Sequence, residues 1–135
     1  MQLSNAGHPH PILYDSEKNL VTEIKVSDET ESFGAIGLTG ANVKFQDCNF
    51  TMKENDILLI FTDGITEAAN KEGEFFGKNR LMNLLNLHHQ KSAPEIQDAI
   101  MSELNLFTGV QPRNDDITMI VLKKEKPEDF IEQLE

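Results

Sequence analysis

Short alternating or continuous apolar segments fill the first part of the chain and predict β-strands. The segments 12–14 and 20–26, separated by the polar residues 15–19, predict a β-hairpin. The alternation in the second segment places four residues on one face: Leu20, Thr22, Ile24 and Val26. Residues 43–47 show a weaker alternation that favours a further strand.

The most hydrophobic run is Ile57-Leu58-Leu59-Ile60-Phe61, which stops abruptly at Thr62-Asp63-Gly64. Its length and its sharp glycine boundary favour a strand buried on both faces over a helix. We therefore expect Leu58, Ile60 and Phe61 to lie in the core. Residues 117–122, which follow Asn114-Asp115-Asp116, predict the last strand.

Between these two strands the apolar spacing becomes helical. A first amphipathic helix, starting near Gly77 or Asn79, aligns four residues on one face: Leu81, Leu84, Leu85 and His88. The pattern Ser92-Ala93-Pro94-Glu95 is a capping-box signature that begins a second helix, which ends at Gly109. A short helix is also predicted within residues 127–135. Strands, then two helices, then a strand predict an α+β domain.

Composition and charge narrow the class of protein. The 135 residues are enough for a single domain spanning 1–135, and 39% hydrophobic residues indicate one modest core. The net charge of −11 argues against binding to nucleic acid and to anionic membranes. Cys48 is the single cysteine, which excludes an internal disulfide and a cysteine-rich zinc site. Without a signal peptide or a long apolar run, we expect a cytoplasmic protein.

Two acidic segments are candidates for metal binding. Asp63 and Gly64 follow the buried strand directly, and a carboxylate there would reach the rim of the sheet. Asp115 and Asp116 precede the last strand, and adjacent carboxylates repel each other unless a cation or solvent relieves them. Oxygen ligands of this kind suit hard divalent cations. Taken alone, each segment is better explained by a turn than by a metal ligand, and the two rims meet only if their strands are neighbours.

The histidines do not form a recognisable metal-binding motif. His8 and His10 flank Pro9 on an extended segment, and a surface or ring-packing role is favoured over metal ligation. His88 and His89 are placed to stabilise the carbonyl end of the first helix. The sequence contains neither a phosphate-binding loop nor a dinucleotide fingerprint nor a nucleophile elbow.

Four segments, in order, resemble the SpoIIE/RsbU branch of the metal-dependent PPM (type 2C-like) serine/threonine phosphatases. The most specific strings are Thr-Asp-Gly-Ile-Thr-Glu-Ala at 62–68 and Asp-Asp-Ile-Thr at 115–118. The full segments cover residues 5–13, 56–68, 73–77 and 114–121. The resemblance extends over nearly the whole chain.

The resemblance implies a mechanism and a set of site residues. In such phosphatases aspartates hold two Mn²⁺ or Mg²⁺ ions, and a bridging water attacks the phosphorus of phosphoserine or phosphothreonine. Asp63 and Asp115 match catalytic, metal-binding aspartates, and Asp116 is a further candidate ligand. The implied substrate is a phosphorylated regulatory protein such as an anti-sigma-factor antagonist.

The family's upstream Asp-x-x-Gly-His-Gly motif does not occur in this sequence. The chain is therefore expected to be the C-terminal portion of a PPM-type β-sandwich flanked by helices. Its missing metal ligands would come from the rest of the domain or from a second copy of the chain. Two alternatives remain open from the residues: a noncatalytic protein-interaction module, and an unrelated acidic α+β domain.

Overall fold

The computed structural model describes residues 1–25, 47–110 and 115–126. These residues form a mixed helix and sheet structure, which confirms the predicted α+β class. The elements in chain order are β1 (Gln2–Ser4), β2 (Ile12–Asp15), β3 (Leu20–Glu23), β4 (Asp47–Asn49), β5 (Ile57–Phe61), α1 (Asp63–Thr66), α2 (Lys78–His88), α3 (Ala93–Thr108) and β6 (Met119–Lys123). The expected helix in 127–135 and most of the weak strand at 43–47 lie outside the described residues.

The main sheet is antiparallel and has the strand order β3-β2-β5-β6. It contains the predicted β2–β3 hairpin, and β5 occupies an interior position as its apolar sequence requires. Strand β6 starts later than predicted, at Met119, and pairs with β5 from Phe61↔Met119 to Ile57↔Lys123. The last strand therefore starts beside the point where β5 ends.

One face of this sheet packs against the helices and forms the core. Strand β5 contributes Ile57, Leu59 and Phe61, which are almost fully buried. The helices cover them with five fully buried side chains: Leu81 and Leu85 from α2, and Ile96, Ile100 and Leu104 from α3. Burial of each such side chain stabilises the fold by about 1.5–3 kcal/mol. The predicted helical faces are thus confirmed as core faces.

The opposite face of the sheet is only partly covered. Leu58 is fully buried there, but Ile60 is half-buried rather than a core residue as expected. Leu20, Ile120 and Leu122 are 50%, 48% and 38% exposed. The register places Leu20 away from the helices, because its neighbour Val21 pairs with the core residue Tyr14.

Lys123 of β6 fastens the carbonyl end of α2 to the sheet. Its Nζ donates hydrogen bonds to the carbonyl oxygens of His89, at 2.9 Å, and Lys91, at 2.7 Å. The Nδ1 of His89 lies 2.6 Å from the carbonyl oxygen of Asn86, which confirms the helix-end role predicted for this histidine. The His89 ring also stacks on Tyr14, with 4.5 Å between the ring centroids.

The start of α3 is the capping box that the sequence predicts. The carboxylate of Glu95 accepts hydrogen bonds from the backbone N–H of Ser92, at 2.9 Å, and from the Ser92 hydroxyl, at 2.7 Å. These bonds favour the charged carboxylate, so they lower the pKa of Glu95. The hydrogen bonds between Ser92 and Glu95 therefore fix the residue at which α3 begins.

Candidate active site

The first candidate segment leaves the sheet at the end of β5. Thr62 has extended backbone angles and forms the N-terminal cap of α1, the short helix that begins at Asp63. The Asp63 side chain is exposed, and Gly64 and Ile65 are buried behind it. A carboxylate in a first helical turn is electrostatically favoured. The sequence predicted the end of the strand but not the four-residue helix, which is too short to carry a periodic pattern.

The second candidate segment enters the sheet at the start of β6. Asp115 and Asp116 are both exposed. The backbone N–H of Asp116 donates a hydrogen bond to Oδ1 of Asp115 at 2.8 Å, which orients that carboxylate. Because β5 and β6 are antiparallel neighbours, this segment lies beside the end of β5.

Gly64 brings the two segments into direct contact. A β-carbon added to Gly64 would lie closer than 3.0 Å to the carbonyl oxygen of Asp116 and 2.9 Å from its carbonyl carbon. It would also lie 3.4 Å from the carbonyl oxygen of Asp115. Glycine is thus required for space at this position. The condition that the sequence left open, that the two rims meet in one sheet, is fulfilled.

The donor chemistry at this edge suits a hard cation, but the described residues supply only part of a site. Asp63, Asp115 and Asp116 offer exposed carboxylate oxygens, which are the preferred ligands of Mg²⁺ and Mn²⁺. Across residues 1–25, 47–110 and 115–126, however, no three His, Cys, Asp or Glu side chains are grouped closely enough to hold a metal ion. Any such ion would need further ligands from water or from elsewhere.

The loop that follows α1 is fixed to it by backbone hydrogen bonds. The N–H groups of Phe76 and Gly77 donate to the carbonyl oxygens of Ala68, at 2.8 Å, and Thr66, at 2.9 Å. Phe76 is buried and meets the ring of Phe107 edge-on. The string Gly-Glu-Phe-Phe-Gly at 73–77 therefore anchors the peptide that carries Asp63.

A shallow cavity of about 440 Å³ opens beside this loop. Its lining is formed by residues 74–80, which join the loop to the first turn of α2. None of the three candidate aspartates lines it. The cavity is therefore separate from the acidic edge of the sheet.

Residues 5–13, the first segment of the family resemblance, begin with a turn that side-chain hydrogen bonds stabilise. The side chain of Asn5 donates to the carbonyl oxygen of His8 at 2.9 Å and accepts the His8 N–H at 2.8 Å, which closes a turn through Gly7. Gly7 has a positive φ of 86°, which favours glycine. His8 itself is exposed. Among residues 1–25, 47–110 and 115–126, the buried Nδ1 of His10 has no hydrogen-bond partner, which is compatible with ring packing.

Sequence reasoning missed two polar residues at the ends of β5. Asp56 was not singled out, yet it is 2% exposed and holds the start of the strand through hydrogen bonds. Thr62 was not singled out, yet its hydroxyl is bonded to the segment that carries Asp116. Both are single polar residues beside an apolar run, and no spacing pattern marks their partners.

The sequence is similar to one protein family and to two characterised proteins over most of its length. The family model described as Stage II sporulation protein E (SpoIIE) matches residues 1–125. Protein IcfG of Synechocystis sp. is 32% identical over 119 residues, which cover 87% of this chain and 17% of that protein. Phosphoserine phosphatase RsbU of Bacillus subtilis is 25% identical over 121 residues, which cover 90% of this chain and 34% of that protein.

A solved structure shares the fold. The SiaA-PP2C domain of Pseudomonas aeruginosa superposes with a TM-score of 0.67 and 27% identity, covering 92% of this chain and 46% of that one. The chain thus spans about a third or less of the two curated relatives and about half of this structure. Since the family model matches nearly the whole sequence, the chain belongs to the SpoIIE family and forms part of a PP2C-type phosphatase domain.

Proposed function

We propose that this chain supplies Asp63 and Asp115 to the catalytic metal site of a serine/threonine protein phosphatase, with Asp116 as a further ligand. One observation carries the proposal. The two aspartate-bearing segments are neighbours at the end of the β5–β6 pair, and Gly64 allows their backbones to touch. The similarity to a phosphoserine phosphatase, RsbU, supports the same reaction class.

The electrostatics of this edge explain why such a reaction needs a cation. A phosphate monoester is an anion, and three exposed carboxylates on a chain of net charge −11 would repel it. A bound Mn²⁺ or Mg²⁺ would offset the carboxylate charge, lower the pKa of water and stabilise charge on the phosphoryl oxygens. Asp63 and Asp115 would hold the ion, and the hydrogen bond from the Asp116 N–H fixes the Asp115 carboxylate in one orientation.

The proposed substrate is phosphoserine or phosphothreonine in a regulatory protein, such as an anti-sigma-factor antagonist, in the cytoplasm. The support is the family and the exposed position of the aspartates, which a protein-sized substrate can reach. Among the described helices, none is both long and apolar enough to span a bilayer.

The remaining metal ligands are proposed to come from the rest of the phosphatase domain or from a second copy of the chain. The described residues do not complete a cluster of three ligating side chains, and the matched structure is about twice as long. The half-covered sheet face, with Leu20, Ile120 and Leu122, is an apolar surface on which such a partner would pack. Activity that rises more steeply than the chain concentration would indicate the second copy.

The test is Mn²⁺-dependent hydrolysis of an aryl phosphate and of a phosphoserine peptide by the purified chain. Asp63→Asn is compared with Asp98→Asn, the same chemical change at an exposed position of α3. We expect turnover that requires Mn²⁺, is lost in Asp63→Asn and is retained in Asp98→Asn. Turnover that is unchanged in Asp63→Asn would contradict the site. No turnover at any concentration would exclude a second copy as the source of the remaining ligands, and would mean that the chain is either a fragment that needs the rest of the domain or an interaction module.

A further inference from the structure

The hydroxyl of Thr62 does not cap α1, although Thr62 occupies the N-cap position of that helix. Threonine is common at helix N-caps because its hydroxyl accepts a backbone N–H of the first turn. Thr62 is the N-cap of α1, yet its side chain makes no capping hydrogen bond. Its Oγ1 instead accepts the backbone N–H of Thr118 at 3.1 Å and donates to the carbonyl oxygen of Asp116 at 3.2 Å.

The backbone reinforces this link on both sides. The N–H of Thr62 donates to the carbonyl oxygen of Thr118 at 3.1 Å, which extends the β5–β6 ladder one step beyond Phe61↔Met119. On the other side, Gly64 packs directly against the Asp116 carbonyl. The Asp116 peptide is therefore held between a hydroxyl donor and a glycine on the same stretch of chain.

From this arrangement we propose that Thr62 is a positioning residue that sets the separation of Asp63 from the Asp115–Asp116 carboxylates. The inference rests on the proposed function, since the separation matters for a shared cation. Three consecutive residues then have distinct tasks: Thr62 holds the facing segment, Asp63 offers a ligand and Gly64 lets the two backbones touch. Metal sites tolerate ligand displacements of only a few tenths of an ångström, so loosening the Asp116 peptide weakens cation binding.

The decisive variant is Thr62→Val, which keeps the branched shape and removes the hydroxyl. Thr62→Ser restores the hydroxyl, and Thr22→Val makes the same change at an exposed position of β3. Two readouts are used: hydrogen exchange of the Thr118 amide, and broadening of the Asp63, Asp115 and Asp116 amide NMR signals during titration with Mn²⁺.

In Thr62→Val we expect the Thr118 amide to exchange about fivefold to tenfold faster, because a hydrogen bond contributes about 1 kcal/mol. The Mn²⁺ concentration that half-broadens the aspartate signals should rise about 10–100-fold, as for residues that orient metal ligands. Thr62→Ser should stay within about threefold of the unmodified chain in both readouts, and Thr22→Val should match it.

The outcomes separate this inference from the function on which it rests. If Thr62→Val binds Mn²⁺ normally while Asp63→Asn does not, the positioning role is overturned and the proposed function stands. If Mn²⁺ leaves the aspartate signals of the unmodified chain unchanged, the proposed function fails and the inference fails with it. Should Thr62→Val not fold by circular dichroism, Thr62→Ala is measured instead, and loss of folding in both would overturn a role confined to the site.

Discussion

Strand β5 lies between two aspartates, of which one is buried and hydrogen-bonded and the other is exposed. Asp56, just before the strand, is 2% exposed. Its carboxylate accepts hydrogen bonds from the N–H and hydroxyl of Ser16 and from the N–H of Lys53, each at 2.8 Å. Asp63, just after the strand, is exposed, and within the described part of the chain no donor is bonded to its carboxylate.

The difference separates a carboxylate that the fold uses from one that it leaves exposed. Asp56 satisfies backbone and hydroxyl donors of the turns at one end of the sheet, so its task is completed by the fold itself. Asp63 contributes little that folding requires and keeps its oxygens available to a ligand. In the sequence the two are alike, because each is an aspartate beside the same apolar run.

The strand between the two aspartates should dominate stability. Leu58→Ala is expected to reduce the free energy of unfolding by about 2–5 kcal/mol, because Leu58 is fully buried and a cavity would remain. Urea denaturation measures the change. Leu122→Ala, at a position 38% exposed and paired with Leu58, is the control and should cost clearly less. Equal costs would mean that the partly covered face is buried in solution.

Replacing the aspartate at each end of β5 by alanine tests the difference between Asp56 and Asp63 directly. Asp56→Ala leaves the N–H groups of Ser16 and Lys53 unpaired and should cost about 2–4 kcal/mol of unfolding free energy. Asp63→Ala should remain within about 0.5 kcal/mol of the unmodified chain, as surface substitutions do. Paired denaturation curves decide, and a large loss in Asp63→Ala would assign that aspartate to the fold as well.

Gly64→Ala examines the close approach at the Asp63 end. Alanine is the better helix former by about 1 kcal/mol, so propensity alone predicts a gain in stability. The contact with the Asp116 carbonyl predicts the reverse, a loss of about 1–3 kcal/mol as the backbone shifts. Thermal unfolding gives the sign, and a stabilised variant would refute the contact between the two segments.

The smallest effect is a pH dependence at the Asp56 end of the sheet. Hydrogen bonds from the N–H groups of Lys18 and Glu17 lower the pKa of Asp15 below its ordinary value of 3.8. The resulting stabilisation is present above about pH 4 and is lost as the pH falls through the lowered pKa. Between pH 5 and 2 the melting temperature should therefore fall less in Asp15→Asn than in the unmodified chain. Parallel curves would show that Asp15 does not contribute.

The sequence predicted the elements that carry periodic signals. Helices α2 and α3, the capping box at Ser92, the β2–β3 hairpin and the interior strand β5 all follow from spacing and from turn residues. The β1–β4 pair was not predicted, because three-residue strands contain no repeated pattern. The sequence also did not predict which face of β3 is turned toward the helices, since this depends on the register of its pairing with β2.

The sequence proposes residues for the candidate site, but it does not predict how the segments that carry them are joined. Residue type and family resemblance pointed to Asp63 and Asp115, whereas their proximity depended on β5 and β6 being neighbours. The contacts that join them involve backbone carbonyls and one hydroxyl. Such contacts leave no trace in hydrophobic spacing, so a sequence pattern cannot reveal them.

The stacking of Tyr14 on His89 places the intrinsic fluorophore of this protein at the contact between the sheet and α2. Tyr14 is the single tyrosine and the chain has no tryptophan, so the fluorescence that is excited at the tyrosine absorption band, to the red of the phenylalanine band, originates at one place. That place is the contact between the sheet and the end of α2. Burial, with smaller effects from Asp56 and Asp15, raises the pKa of Tyr14, so its phenol stays protonated well into alkaline solution. A change in its emission during denaturation therefore reports on the contact between β2 and the end of α2.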